Sequence, residues 1–310
     1  MEIKPTAILT ADIHIREDAP LCRTDDFWET QIRKILFLKQ QQEKYKCPVF
    51  IAGDIFDHWK PSPFLLGWVL ENLPDSIIAI PGQHDLPQHS IDMINKSGIF
   101  VLAAAGKIQV LLEGQSIIIN SDTEIYGFPF GSKLDIAEDK RAKHKTHRVA
   151  MCHELTWKDK MPYPGCTNRN ASSFLRKMSG FSLVLVGDNH QTFTHEENNR
   201  ILVSPGSFMR TTAAQIEHRP CIYLWFAKDN KIEPLYLPIE EGVVTREHIE
   251  HSEERDRRVD AFLTRLKDDI ELKLSFRANL ESYMKLNDVR GAVQAIVWRA
   301  LDGDNEQRAG

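Results

Sequence analysis

The stretch "IAIPGQHDLP" (residues 78–87) shows the pattern that decides the fold of this protein. Apolar residues at 77–80 predict a short buried strand, and the Pro-Gly pair that follows ends it. Three polar residues, Gln83, His84 and Asp85, come directly after this turn. A turn needs glycine or proline but not such a trio, so the strand ends either in an ordinary loop or at a site.

The same arrangement recurs at other strand ends. "TADIH" supplies Asp12 and His14, "AGDIFD" supplies Asp54 and Asp57, "MCHE" supplies His153, and "GDNHQ" supplies Asp188 and His190. A single Asp or His at a strand end is usually a turn or cap residue. Five such turns together predict a site, because carboxylates clustered at a buried edge are costly without cations.

The residue types predict that this site binds metal. Carboxyl ends of strands in an open α/β sheet form the crevice in which ligands bind, and carboxylates with imidazoles suit Mn, Fe or Zn. In Asp12-x-His14 and Asp188-x-His190, residues i and i+2 project to one side of an extended segment. We therefore expect each pair to hold one ion.

The order of the apolar runs predicts an α/β fold with two sheets in a sandwich flanked by helices. Strand-like runs near residues 7–10 and 48–52 enclose an amphipathic helix at 24–46, capped by Thr24 or Asp25, and a further helix is expected at 63–73. Later runs at 107–112, 116–120, 124–130, 221–226 and 231–238 follow one another without helices. They predict a second, more antiparallel sheet.

The composition changes after about residue 240, where charged residues of both signs become dense. We expect a catalytic domain at residues 1–240 and a small α/β or helical capping or partner-binding region at residues 241–310. Within the second region, the pattern predicts helices near 256–266 and 289–301 and a strand at 270–276.

Composition limits the function. The formal net charge of −5 excludes a uniformly basic nucleic-acid binder but not a local basic surface. The five cysteines include no CxxC pair, so we expect neither disulfides nor a cysteine zinc site, and a cytoplasmic location. We find no secretory signal and no apolar stretch long enough to span a membrane.

The motifs, taken in order, resemble the calcineurin-like metallophosphoesterase superfamily over about residues 7–210. Within it the chain is most similar to SbcD-type subunits of DNA double-strand-break-repair nucleases. The resemblance implies two divalent metal ions, expected to be Mn²⁺, bridged by Asp54. It implies the metal ligands Asp12, His14, Asp54, Gln83, His153, Asp188 and His190.

Two of these ligands depart from the family pattern, which has Asn at the position of Gln83 and His at that of Asp188. Because Gln is one methylene longer than Asn, Gln83→Asn is expected to preserve or raise activity. His84 fits the role of general acid for the leaving group, with Asp85 orienting its imidazole. A loop histidine with a solvated ring is the alternative.

A basic segment surrounds the strand that ends in His153. Residues 131–177 hold 11 Lys or Arg against 5 Asp or Glu. They predict a DNA-backbone contact, with a solvated charged face as the ordinary alternative. The candidate DNA-binding residues are Lys140, Arg141, Lys143, Lys145, Arg148, Lys158 and Lys160, with Trp157 and Tyr163 available to stack on bases.

We therefore predict a metal-dependent DNA nuclease, an exonuclease or endonuclease. The alternatives are a phosphomonoesterase or cyclic-nucleotide phosphodiesterase on the same fold, and a catalytically weakened DNA-binding or scaffold subunit. The family implies a homodimer, expected through the helices near 63–73 and 88–97 with apolar residues such as Phe64, Trp68 and Ile91. It also implies an SbcC-type coiled-coil ATPase partner, docking on the C-terminal region. No membrane partner is expected.

Overall fold

The computed structural model describes residues 4–134, 147–274 and 276–306. The strands are β1 (Ala7–Thr10), β2 (Val49–Ala52), β3 (Ile77–Ile80), β4 (Ile108–Val110), β5 (Ser116–Ile118), β6 (Thr123–Phe128), β7 (His147–His153), β8 (Leu183–Gly187), β9 (Phe193–Glu197), β10 (Arg200–Ser204), β11 (Cys221–Phe226) and β12 (Lys231–Tyr236). The helices are α1 (Phe27–Tyr45), α2 (Pro63–Asn72), α3 (Gly98–Ala104), α4 (Ala171–Lys177), α5 (Glu247–Leu274), α6 (Phe276–Leu286) and α7 (Gly291–Glu306).

Within the described part of the chain, the strands form two mixed sheets of six strands each, which confirms the predicted sandwich. The first sheet has the order β12-β11-β1-β2-β3-β4, and the second has the order β5-β6-β7-β8-β10-β9. Strands β1 to β4 are parallel, as are β6, β7, β8 and β10. Several of the strands that carry site residues therefore run parallel to their neighbours and bring their carboxyl ends to the same edge of each sheet.

The prediction of a more antiparallel second sheet is wrong. Three of the five runs on which it rested, at β4, β11 and β12, belong to the first sheet, and β6 pairs with β7 in parallel. Apolar patterning marks a strand but does not specify which strand it pairs with. Whether a pair is parallel depends on the connection between its strands, since parallel strands need a crossover. Here α4 provides that connection between β7 and β8.

Strand β1 shows how alternation divides the core. Ile8 packs with the helices, in a cluster that includes Leu38 of α1 and Val69 of α2. Leu9 faces the other way and packs between the sheets, with Met151 of β7. Strands buried on both faces are apolar throughout, which explains the uninterrupted runs in the sequence.

Local signals set the helix ends. The side chain of Asp26 caps α1 by accepting from the amide of Glu29, one or two residues after the predicted caps. Ser62 caps α2 in the same way, so this helix lies within the predicted span 63–73. The segment 88–97 is not an α-helix, because two short 3₁₀ turns, Pro87–His89 and Ile91–Lys96, occupy it.

The predicted dimer surface divides into exposed and packed residues. Phe64 is 61% exposed, whereas Trp68 is only partly exposed and packs on Trp28 with ring centroids 5.1 Å apart. Ile91 is half-buried.

The chain divides into two compact units, Met1–Arg246 and Glu247–Gly310. The first unit contains both sheets, and the second consists of α5, α6 and α7. The strand predicted at 270–276 is wrong, since α5 runs to Leu274 and α6 begins at Phe276. The segment alternates like a strand, but it contains Glu, Leu and Lys, which are good helix formers.

Within the described ranges, no helix combines the length and the apolar character needed to cross a membrane. All five cysteines are free and buried.

Candidate metal centre

The backbone is strained at the predicted ligands. Asp12, His14, Asp54, Asp188 and His190 all have positive φ values, between 48° and 88°. Residues other than glycine adopt this region at a cost of about 1–3 kcal/mol each, and such strain concentrates at functional sites. The Asp-x-His pairs are therefore not extended as predicted, because each aims its side chain from a left-handed turn.

Glycines make room for these side chains. A Cβ on Gly53 would lie 2.0 Å from Nδ1 of His153, and a Cβ on Gly82 would lie 2.1 Å from Oδ1 of Asp54. Gly53 also has a φ of 90°. The glycine of "AGD" and that of "PGQHD" thus permit close approach of backbone to site residues, which explains their place in the motifs.

One half of the site consists of Asp12, His14 and His190. The Nε2 atoms of the two histidines lie 3.1 Å apart, and both oxygens of Asp12 accept from the amide of Asp188 at 3.0 Å. Two nitrogens about 2.1 Å from one ion lie roughly 3.0–3.4 Å from each other. The spacing of the two imidazoles therefore fits a shared ion.

The other half consists of Gln83, His153 and Asp188. His153 donates from Nδ1 to the carbonyl of Ala52 at 2.7 Å, which leaves Nε2 as the nitrogen that can bind a metal. Nε2 of His153 lies 2.5 Å from Oε1 of Gln83 and 3.4 Å from Oδ2 of Asp54. The amide of Gln83 donates to Oδ1 of Asp188 at 2.7 Å.

Asp54 lies between the two halves. Its Oδ1 accepts from the amide of His84 at 2.9 Å. Its Oδ2 is buried and accepts no hydrogen bond from any residue that the structure describes. That oxygen lies 3.6 Å from Nε2 of His14 and 3.4 Å from Nε2 of His153. An unsatisfied buried carboxylate oxygen facing an imidazole on each side suits a carboxylate that bridges two ions.

The electrostatics also favour cations here. Burial alone would lower the pKa of His153, but the charges of Asp54, Asp12 and Asp188 raise it to about 10. Burial raises the pKa of Asp12 to about 7. Burial and the neighbouring His14 lower the pKa of His190 to about 4, so its ring is neutral and can bind a metal. The carboxylates thus attract positive charge strongly enough to hold a proton on a buried imidazole. The carboxylate and imidazole donors and the negative charge around them suit divalent cations.

Beside these groups lies His84. Its ring centroid is 4.8 Å from that of His14, and its Nδ1 lies 2.8 Å from the carbonyl of Asp57. A carbonyl only accepts, so Nδ1 carries a proton and Nε2 is left for other partners. The orientation of His84 therefore comes from the backbone of Asp57.

The prediction that Asp85 orients His84 is wrong. Asp85 is fully buried, and its carboxylate accepts from the amides of Ile55, Phe56 and Gly82 at 3.1–3.2 Å. It ties the turn after β3 to the turn after β2. The side chain points into the fold because three backbone donors there need an acceptor.

Asp57 is a site residue that the sequence analysis did not assign, although "AGDIFD" contains it. Its Oδ1 lies 3.4 Å from Nδ1 of His14, and its Oδ2 pairs with Arg16 at 3.1 Å. His14, Asp57 and His84 form one of three groups, among the residues that the structure describes, whose ligand atoms lie within 4.8 Å of one another. The others are Asp12, His14 and His190, and Asp12, Asp54 and His153. The second carboxylate of the motif could have signalled this role.

The predicted DNA-binding residues differ in their surroundings. Lys158 and Lys160 are exposed on the loop that follows β7. Arg148 is only half-exposed, and its guanidinium packs over the rings of Tyr126 and Phe181 at 4.8 and 5.1 Å, so it serves the packing of the fold. The remaining candidates, Lys140, Arg141, Lys143 and Lys145, lie outside the described residues.

The aromatic residues of this loop also differ. Trp157 donates from Nε1 to the carbonyl of Asn168 at 3.0 Å and packs within the loop. Tyr163 is 51% exposed. Of the two, Tyr163 offers the more exposed ring.

The family relationship of the chain agrees with this geometry. The family model of the calcineurin-like phosphoesterases matches residues 6–267. This chain therefore belongs to the calcineurin-like phosphoesterase family, whose members are hydrolases with a dinuclear divalent metal site. No curated protein sequence is similar enough to match it.

Solved structures with similar folds include a protein from Thermus thermophilus. It is 11% identical, with a TM-score of 0.45, and the match covers 76% of this chain and 100% of that one. A novel archaeal phosphodiesterase is 14% identical, with a TM-score of 0.41, covering 74% of this chain and 99% of that one.

Proposed function

We propose that this protein is a DNA phosphodiesterase, a nuclease of the SbcD type that works with two Mn²⁺ ions. The observation that carries the proposal is the position of His84 beside Asp54 and His14. Its amide binds Asp54, its ring contacts that of His14, and its Nδ1 binds the carbonyl of Asp57. A phosphoester held by both halves would meet the free nitrogen of this imidazole.

The residues divide the work of hydrolysis. Asp12, His14 and His190 would hold one ion, and Gln83 and His153 the other, with Asp54 shared. When bound, two divalent ions neutralise charge on the phosphate and lower the pKa of a water. Hydrolysis forms one P–O bond to the water oxygen, which gives up a proton to solvent, and breaks the ester P–O bond. The leaving alkoxide takes a proton from Nε2 of His84, which must start as imidazolium because Nδ1–H is already donated to Asp57.

DNA as the substrate is supported by the loop that follows β7. Lys158, Lys160 and Tyr163 are exposed on it, directly after the strand that ends in His153. Two lysines would contact backbone phosphates, and the tyrosine offers a face to an unpaired base. In an SbcD-type role the protein would also form a homodimer, to which Phe64 contributes, and bind an ATPase partner.

The test is cleavage by the purified full chain in Mn²⁺ or EDTA. The substrates are end-labelled single- and double-stranded DNA, bis-p-nitrophenyl phosphate as a small diester and p-nitrophenyl phosphate as a monoester. We expect Mn²⁺-dependent DNA cleavage far above monoester turnover. Turnover of the small esters alone would favour the phosphomonoesterase or cyclic-nucleotide phosphodiesterase. No turnover of any substrate would favour the scaffold subunit.

The DNA contact has its own control. Lys158→Ala combined with Lys160→Ala should raise KM for DNA and reduce the dependence of binding on salt concentration. Lys231→Ala, which removes an exposed lysine from the edge strand β12, is the matched control and should leave KM for DNA unchanged. Equal KM values for the wild type, the double variant and the control would show that the loop does not bind DNA.

A further inference from the structure

Gln83 and Asp188 contact each other although 105 residues separate them in the chain. Gln83 follows β3 in one sheet, and Asp188 follows β8 in the other. The carboxamide of Gln83 is engaged at both ends, with Nε2 at 2.7 Å from Oδ1 of Asp188 and Oε1 at 2.5 Å from Nε2 of His153. Its orientation is thus defined by two different partners.

A carboxamide can present either its oxygen or its NH₂ group to a neighbour, and only the oxygen can bind a cation. An ionised carboxylate only accepts hydrogen bonds, so Asp188 can receive the NH₂ end of Gln83 but not the oxygen end. We propose that Asp188 is a positioning residue that turns the amide oxygen of Gln83 toward the ion held with His153. This inference rests on the proposed dinuclear site.

The backbone of Asp188 fits this role. Its amide donates to both oxygens of Asp12, and its φ of 88° holds it in a left-handed turn. The residue therefore contacts the first half of the site through its main chain and the second half through its side chain. Because two anchors fix it, its carboxylate presents a defined acceptor to Gln83.

The length of Gln83 follows from the same geometry. Its amide must reach His153 on one side and Asp188 on the other. Asparagine is one methylene shorter and would lose at least one of these contacts. The two departures from the family pattern thus compensate for each other, and Gln83→Asn should weaken the site, contrary to the expectation from the sequence alone.

Calorimetric titration of the full chain with Mn²⁺, without substrate, tests the pair. Gln83→Ala and Asp188→Ala should each lower the affinity for one of the two Mn²⁺ ions by about 10–100-fold. This is the usual effect of removing a residue that orients a ligand. The double variant should bind Mn²⁺ no more weakly than the weaker-binding single variant, because each substitution already removes the function of the Gln83–Asp188 pair. Asp188→Asn should retain most of the affinity, since its amide oxygen can still accept from Gln83.

Independent metal binding by Asp188 would give different results. The losses in the double variant would then multiply, and Gln83→Asn would bind as well as the wild type or better. Either of these outcomes overturns the proposal. Glu154→Gln is the matched control, because Glu154 places a negative charge near Asp188 without binding Gln83. It should leave the affinity within about twofold if charge alone is not the cause.

A measurement on the metal-free protein separates this inference from the proposed function. The side-chain NH₂ signals of Gln83, assigned in ¹⁵N-correlated NMR spectra by their absence in Gln83→Ala, should shift in Asp188→Ala and less in Asp188→Asn. Unchanged signals would overturn the pair whether or not ions bind. If the signals shift but the wild type binds fewer than two ions, the pair stands and the dinuclear function fails.

Discussion

The two halves of the site are held in place by buried charges of opposite sign. In the first half, Lys34 of α1 is 1% exposed, and its Nζ donates to the carbonyl of Phe208 at 3.0 Å. The amide of Phe208 donates in turn to the carbonyl of Asp12. In the second half, the buried carboxylate of Asp85 gathers backbone amides from the turns that carry Asp54 and Gln83.

This difference shows that both halves are positioned through backbone groups rather than through ligand side chains. A buried ammonium holds a carbonyl, and a buried carboxylate holds amides, because each satisfies polar groups that water cannot reach. Each charge is costly in its place. Burial, together with Arg23 and Arg210, lowers the pKa of Lys34 to about 7. Burial and the charge of Asp54 raise the pKa of Asp85 to about 6.

The largest effect is expected at the residue that the two halves share. Asp54→Asn removes the charge of the carboxylate whose Oδ2 faces His14 and His153 and accepts no hydrogen bond from the described residues. We expect metal analysis to show loss of at least one ion per chain. The loss of activity should exceed the roughly 10–100-fold typical of residues that only support a ligand. Full metal occupancy with normal activity would show that the halves work without a bridge.

His84→Ala tests whether chemistry is separate from either half. The imidazole is not needed to hold an ion in our assignment, so metal stoichiometry and DNA affinity should remain nearly intact. Single-turnover cleavage in Mn²⁺ should slow by roughly 10²–10⁴-fold, the usual contribution of a positioned general acid.

Two outcomes would change the assignment of His84. Loss of an ion along with activity would make it a ligand, in line with its grouping with His14 and Asp57. Loss of neither would make the turn purely structural and would show that His84 is not the general acid.

The anchor of the second half is tested by Asp85→Asn. An amide offers one oxygen for three backbone donors, and its NH₂ group would face other donors. We expect about 1–3 kcal/mol lower stability in urea denaturation, from the unsatisfied buried groups. Mn²⁺ affinity should fall by about 10–100-fold. Asp92→Asn, an exposed aspartate in the next turn, is the control and should change neither quantity.

That the candidate ligands lie together could be predicted from the sequence, because each of them follows an apolar strand that ends abruptly. The seven predicted ligands lie within one network of contacts. The function of Asp85 could not be predicted, because it depends on which backbone groups lie nearby after folding. The prediction of which sheet each strand joins failed because the runs at β4 and β11 carry no signal for their partners. Lys34 has no signature at all, as a lysine in a helix is normally exposed.

The smallest expected effect on activity is that of Lys34→Met, which tests the anchor of the first half. The variant leaves the carbonyl of Phe208 without its donor. Because the amide of Phe208 donates to the carbonyl of Asp12, the change should disturb Asp12 and cause a modest loss of activity.

The effect of Lys34→Met on stability should depend on pH. Folding lowers the pKa of Lys34 from 10.5 to about 7, so between these values the unfolded chain binds more protons. The free energy of unfolding of the wild type, relative to the variant, should therefore rise with pH across that window and level off below it. Urea denaturation in EDTA at several pH values measures this difference, with Lys39→Met as the control, since Lys39 contacts the carbonyl of Glu71 at the surface. A difference for Lys34→Met that stays constant with pH would show that the ammonium is solvated, and that the first half is not held by a buried charge.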